Sequence, residues 1–406
     1  MNTPGSSLEV LLVADEIPPV RSGRARLIEG LAALQPAGTT SVLSLGRAGS
    51  AAVDRAWAVP VRRTPSWLAR LGGGWARRRH ARWVAARRPP GLVVSFGLGA
   101  EAGLARDLAR EHDAALLYHL EAPDLAQARR KLRAGGGGAA SMQRLLDEAV
   151  GIVTATETCR LEAYRAGVLP QHLDVVPAGV DTERFRPGSP PEGLAKKLRA
   201  ERGPVLLTVA GPGPAKDLET VYRAFAAARA QARRAVLVVV GTSGAKAQPL
   251  LKQLKVERHV RFVPWVAPDA MPDYYRLAHA YVTAHREDPA KWVVAGVELA
   301  VVEALACGRP VLGTRVPAVE ELAPSEETGL LVEAEAHAKL GRALGDVLRD
   351  DRLRERWGLR ARARAERLHA APRCAHAFRE LLEVTYFRRM GRGRLEHPAP
   401  AERSAA

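Results

Sequence analysis

A chain of 406 residues, 47% of them hydrophobic, is too long for one ordinary core and carries enough apolar material for two. With 61 Lys and Arg against 44 Asp and Glu the formal net charge is +17, and aromatic residues make up only 5%, so the cores must be built mainly from Val, Leu and Ala. Three widely spaced cysteines, Cys159, Cys307 and Cys374, give no disulfide framework and no metal-ligand spacing, which suits a reducing, cytoplasmic setting. The start, MNTPGSSLEVLLVA, lacks the basic region of a signal peptide, and no run approaches the roughly 20 apolar residues that cross a bilayer.

In chain order, Leu8 to Ala14 reads as a buried strand. The loop Pro18-Pro19 to Ser22-Gly23 follows, then a helix with Leu27, Ile28, Leu31 and Leu34 on one face. Between Arg62 and Arg88 stand nine arginines and no acidic residue, interleaved with Trp67, Trp75 and Trp83. That composition suits an anionic membrane surface, with indoles at the interface; a solvated basic face is the plainer alternative. Gly72, Gly73 and Gly74 argue against one continuous helix there. No nucleic-acid module accompanies the charge, so no nucleic-acid partner is expected. Leu92–Phe96, Ala115–Tyr118, Gly151–Thr154 and Asp174–Pro177 read as further strands of a parallel sheet with crossover helices.

The pattern restarts after the Pro/Gly-rich junction Arg186 to Gly193. Val205–Ala210 is a strand, and Leu218, Val221, Tyr222 and Phe225 mark a helix. Val236–Val240, Val260–Val263, Ala280–Thr283, Val311–Leu312 and Leu330–Val332 supply more strands, which makes a second doubly wound α/β domain. The expected division is residues 1–185 and 186–370, a helix within 371–391 packing back on the body, and a disordered tail over 392–406.

The segment ELAVVEALACGRPVLGT, residues 298–314, reads as a helix ending at Gly308 with Pro310 opening the next strand. A helix N-terminus near Gly296 would aim free backbone N–H groups into the cleft, a ready diphosphate site. Glu303, two turns on, could accept ribose hydroxyls; taken alone it reads as a surface carboxylate.

Three stretches resemble the retaining glycosyltransferase family 4 in order and spacing: Val176 to Pro187 (VPAGVDTERFRP), Lys216 to Phe225 (KDLETVYRAF), and Gly296 to Thr314 with Glu320-Glu321-Leu and Thr328-Gly-Leu-Leu-Val. In the N-terminal half PPVRSGRARLIEGLAAL resembles the family's Gly-containing loop and first helix. The resemblance implies a GT-B fold, two Rossmann-like domains facing a cleft, and sugar transfer from a nucleotide diphosphate sugar without cofactor or metal. Lys216 matches the family's diphosphate-binding lysine and Glu303 the second glutamate of its E-x7-E motif. Gly296, Val297 and Glu298 fall in the donor-phosphate segment, Trp265 in the nucleobase region, His119 near a cleft histidine, and Gly23 in the glycine loop.

Two positions depart from that pattern. The family's arginine, five residues before the lysine, falls on Gly211, and the first glutamate of E-x7-E falls on Ala295. Losing one charged contact to a departing diphosphate typically costs on the order of 3 kcal/mol. Glu298, in the first helical turn, competes with a bound phosphate. Arg286 and Lys291 are the candidate replacement cations, and Glu287 the candidate replacement carboxylate, from the loop HREDPAKW at 285–292. The alternative to an active transferase is a binding or scaffolding subunit with a degenerate site.

Overall fold

The structure, a computed structural model, describes residues 8–18, 20, 22–45, 50–55, 57–65, 73–211, 215–288 and 298–391. The positions Lys291, Ala295, Gly296 and Val297, together with Trp67 and the 392–406 tail, lie outside the described residues. Two parallel sheets organise the rest. The first holds β1 (Val10–Val13), β2 (Thr40–Leu45), β3 (Val61–Thr64), β4 (Leu92–Phe96), β5 (Ala115–Leu120), β6 (Gly151–Thr154) and β7 (Leu173–Val175), in the order β3-β2-β1-β4-β5-β6-β7. The second holds β8 (Val205–Val209), β9 (Val236–Val240), β10 (Val260–Val263), β11 (Ala280–Thr283), β12 (Val311–Thr314) and β13 (Gly329–Val332), in the order β10-β9-β8-β11-β12-β13.

Both orders reverse direction once, between β1 and β4 and between β8 and β11. At such a switch point the connecting loops part and leave a crevice beyond the strands' carboxyl ends. The central strands are apolar on both faces because helices cover both: all five residues of Val236–Val240 are buried. Each fully buried valine contributes about 1.5–3 kcal/mol.

The chain passes between the domains twice, side by side. Val180 N–H donates to His369 O at 2.7 Å and Ala371 N–H to Val180 O at 2.9 Å. Gly179 is needed here, since a Cβ would lie 3.0 Å from Ala371 Cα. The helix Ala371–Arg389 then runs back onto the first domain, where Phe378, Leu381 and Leu382 share a core with Leu12, Ile28 and Leu117. Across the cleft, Glu321 of the second domain accepts from Glu157 N–H at 2.6 Å and Thr158 N–H at 2.9 Å, capping the helix Glu157–Arg165 of the first.

The basic segment is split between two elements. Arg62 and Arg63 belong to the edge strand β3, and a helix spans Gly73–Arg87, with Gly73 and Gly74 inside its first turn. Ala81 and Ala85 face inward, whereas Trp75 is 66% and Trp83 49% exposed. Arg79 lies over the Trp75 ring at 5.5 Å, and Arg78 and Arg82 approach Asp107 and Glu111 at 3.5 and 2.8 Å. Among the described residues no helix is long and apolar enough to cross a membrane.

Candidate functional site

At the β8/β11 switch point the strand ends bring four polar side chains together. Lys216 follows β8, and its backbone bridges to His285 just beyond β11. Its ammonium donates to Thr283 Oγ1 at 2.7 Å and to Glu298 Oε2 at 2.9 Å, with the side chain only 4% exposed. His285 Nε2 lies 2.9 Å from Glu298 Oε1. Burial works against the charge of both partners, yet each charge stabilises the other. Glu298 is held well below the usual carboxylate range by Lys216 and His285, and Lys216 above its ordinary value by Tyr281 and Glu298. Gly313 on β12 leaves no room for a Cβ, which would lie 2.3 Å from Thr283 O, so the strand pair that carries Thr283 closes tightly.

The helix expected to begin near Gly296 begins instead at Leu299, with Glu298 as its N-cap. Glu298 makes no side-chain cap bond, because its carboxylate is turned to Lys216 and His285. The helix runs to Ala306, and Gly308 follows at φ +67°, a left-handed conformation that favours glycine. Glu303 lies on it, buried. Its Oε2 accepts from the Tyr275 hydroxyl at 2.8 Å and its Oε1 from Arg26 Nη1, on the first helix of the other domain. Arg26 lies in the stretch that resembles the family's Gly-containing loop and first helix, but the resemblance assigns it no role. Its guanidinium is held charged by Glu303 against the cost of burial.

The other candidate residues scatter around this centre. Gly23 opens the helix Gly23–Ala33, whose N-cap Ser22 accepts from Ala25 N–H at 3.1 Å, so the Ser-Gly pair caps a helix here. Gly211 is exposed, with nothing within 4 Å of where a Cβ would stand. Trp265, in the segment expected to meet the nucleobase, is 49% exposed. Arg286 is 57% exposed and shared between Asp217 at 3.4 Å and Glu335 at 3.5 Å, and Glu287 is half-buried beside it. His119, expected at a strand end, lies inside β5 because the strand runs on to Leu120; it stacks on Phe96 at 5.0 Å. Burial, with Arg24 adding to it, pushes its pKa down to about 3, so the ring is neutral. Beside it Arg24 pairs with Asp124 at 2.6 Å and stands 3.6 Å from Glu121. Among the described residues no group of three or more His, Cys, Asp or Glu side chains is arranged to hold a metal. Cys159, Cys307 and Cys374 are buried and free, each thiol pushed up by burial.

Burial lowers three further histidines, His279 to about 4, His259 and His369, which places a stability limit on the acid side. The folded chain keeps these rings neutral while the unfolded chain protonates them near pH 6.5. Below that pH the unfolded state binds more protons, so stability falls as pH falls. Thermal melts should lose several degrees between pH 7.5 and 5, and His119→Gln should flatten part of that slope.

Comparison with known proteins places this arrangement. Residues 192–364 match the family model for glycosyl transferases group 1. A GDP-mannose-dependent alpha-(1-6)-phosphatidylinositol monomannoside mannosyltransferase of Mycobacterium tuberculosis is 28% identical over 221 residues, 52% of this chain and 56% of that protein. A D-inositol 3-phosphate glycosyltransferase of Nocardia farcinica is 34% identical over 241 residues, 57% of this chain and 50% of that protein. The chain thus spans about half the length of the curated relatives it matches. In fold it is similar to Anabaena Alr3699/HepE in complex with UDP and glucose, with a TM-score of 0.77 at 16% identity over 93% of this chain and 100% of that one. WaaG, a glycosyltransferase involved in lipopolysaccharide biosynthesis, gives 0.66 at 17% identity over 92% and 99%. The two-domain α/β architecture is therefore that of GT-B glycosyltransferases.

Proposed function

We propose that the chain is a glycosyltransferase that moves a sugar from a nucleoside diphosphate to an acceptor hydroxyl with retention, without a metal or other cofactor. The observation that carries this reading is the buried Lys216 side chain at the β8/β11 switch point, inside the segment matching glycosyl transferases group 1 that also holds the buried Glu303. In the proposed reaction the bond from the anomeric carbon to the diphosphate oxygen breaks, and its electron pair leaves with the diphosphate. The acceptor oxygen bonds the same carbon from the same face and gives its proton to the departing phosphate. Lys216 bears the developing charge and Glu303 holds the ribose hydroxyls; Gly296 and Val297 stay in the proposal only as members of the segment that resembles the family's donor-phosphate segment. Gly23 lets the first domain approach the donor, Trp265 stacks on the base, and the neutral His119 contributes a hydrogen bond at most.

The relatives named for phosphatidylinositol monomannoside and inositol 3-phosphate support a glycolipid or polyol acceptor; an envelope role at the cytoplasmic face of the membrane is part of the proposal. The helix Gly73–Arg87, with Trp75, Arg79 and Trp83 outward and no acidic residue of its own, is the surface that would meet anionic headgroups. The chain should co-sediment with phosphatidylglycerol vesicles and be released by about 0.5 M salt, where the Debye length is only a few ångströms. Combined Trp75→Ala and Trp83→Ala should abolish the association. Undiminished sedimentation of that variant would remove this helix from the reading.

A second reading has its own observation. Glu298 already neutralises Lys216, and Gly211 leaves the preceding loop without a cation, which suits a non-catalytic binding subunit. Calorimetry and turnover with GDP-mannose, UDP-glucose and UDP-N-acetylglucosamine separate the two. Turnover of any one supports the transferase. Binding without turnover, restored by Ala295→Glu with Gly211→Arg, supports the second reading; no binding of any nucleotide overturns the first. Gly211 has open space for the larger side chain.

A further inference from the structure

A departing diphosphate carries more negative charge than one buried ammonium can balance, and the loop that would supply a second cation offers Gly211. Arg286 is exposed and spread between Asp217 and Glu335. A different cation is already inside the cleft. Arg26 sits in the first turn of the helix Gly23–Ala33, at the positive end of the helix dipole, where a cation is disfavoured and the turn itself holds no acidic residue. What holds it there is a carboxylate 277 residues away, Glu303 of the second domain.

We infer that Arg26 is the second cation of the donor site, turning from Glu303 to the diphosphate when the ribose hydroxyls take its place on that carboxylate. The inference rests on the donor-site reading above and assigns the missing charge to the opposite domain. Geometry favours the exchange. The rings of Tyr275 and Tyr281 lie 6.0 Å apart and join the two ion pairs. Tyr275 donates to Glu303, the partner of Arg26, and Tyr281 stands beside Lys216 and Glu298. The Arg26 side chain is 29% exposed, so it is not sealed within the protein. A planar guanidinium that reaches two phosphate oxygens at once is the side chain suited to the task. Glu303 thus serves as a parking place for the cation in the empty site and as a ribose acceptor in the filled one. Donor binding would then replace one interdomain contact by another, bridging Arg26 and Lys216 through the diphosphate.

The test compares nucleoside diphosphates with their monophosphates, using UDP, GDP, UMP and GMP in calorimetry on the full chain. For wild type, the diphosphate of the preferred base should bind more tightly than its monophosphate. Arg26→Gln should weaken the diphosphate about tenfold, the usual effect of losing one charged hydrogen bond, and leave the monophosphate unchanged or tighter because Glu303 is freed. Arg26→Lys should recover part of the preference, and a melting curve for each variant reports folding. Equal loss for both ligands, or no loss for either, would make Arg26 an interdomain latch only and overturn the inference. If wild type binds none of the four, the donor-site reading itself fails, and the two failures are told apart.

Discussion

Lys216→Met should lower turnover of the nucleoside diphosphate sugar about 100-fold, the typical effect of removing one preorganised contact to developing charge. Methionine keeps most of the lysine's length and packs among the same neighbours, so the loss reports the ammonium. The same substitution should be costly to the fold. It strands the Glu298 carboxylate beside His285 in a buried site, and breaking such a pair typically costs about 3–5 kcal/mol. Glu298 titrates below the usual carboxylate range in the folded chain, so its contribution is full above that range and is lost as pH falls through the lowered value. Removing Lys216 takes away the main cause of that lowering. The stability deficit of Lys216→Met should therefore be largest at neutral pH and shrink on acidification below about pH 4. Melts at pH 7 and about pH 3 with initial-rate assays check both halves. A variant with unchanged turnover would remove Lys216 from the chemistry.

Much of the fold was legible in the sequence, for a physical reason that also explains what was not. The strands with long apolar runs, such as Val236–Val240 and Leu92–Phe96, declare themselves because both faces are buried. β2, reading TSVLSL, and β3, reading VRRT, did not: one mixes in hydroxyl residues, and the other is an edge strand carrying two arginines. Lys216 and Glu303 stood out through the resemblance of their segments to glycosyltransferase family 4. Their partners could not, since Glu298 lies 82 residues from Lys216 and Arg26 lies 277 from Glu303. One signal for Arg26 was present. An arginine in a first helical turn that holds no acid is unfavourable unless an anion elsewhere compensates, and Glu29 one turn on leaves room for a second, distant one. Glu298 reads in the sequence as a competitor for bound phosphate; only the fold shows it as the counter-charge that already occupies Lys216.

That counter-charge sets up a second large effect, opposite in sign for binding. Glu298→Gln keeps the shape of the side chain and removes its charge, leaving Lys216 buried with only hydroxyl and amide partners. Without ligand the variant should melt several degrees lower, because an unpaired buried ammonium is strongly disfavoured. With a nucleoside diphosphate present the order should reverse. The ligand then supplies the anion that the wild-type site carries internally, so affinity should rise about tenfold through one restored charge-assisted contact. Ligand-induced stabilisation should grow in step with that affinity. Lys216→Met and Glu298→Gln both weaken the empty fold, then, but only the second should be rescued by diphosphate. If Glu298→Gln instead loses affinity, the carboxylate acts by holding the ammonium in position. Lys216 would then depend on Glu298, and the two side chains would work as one unit in donor binding.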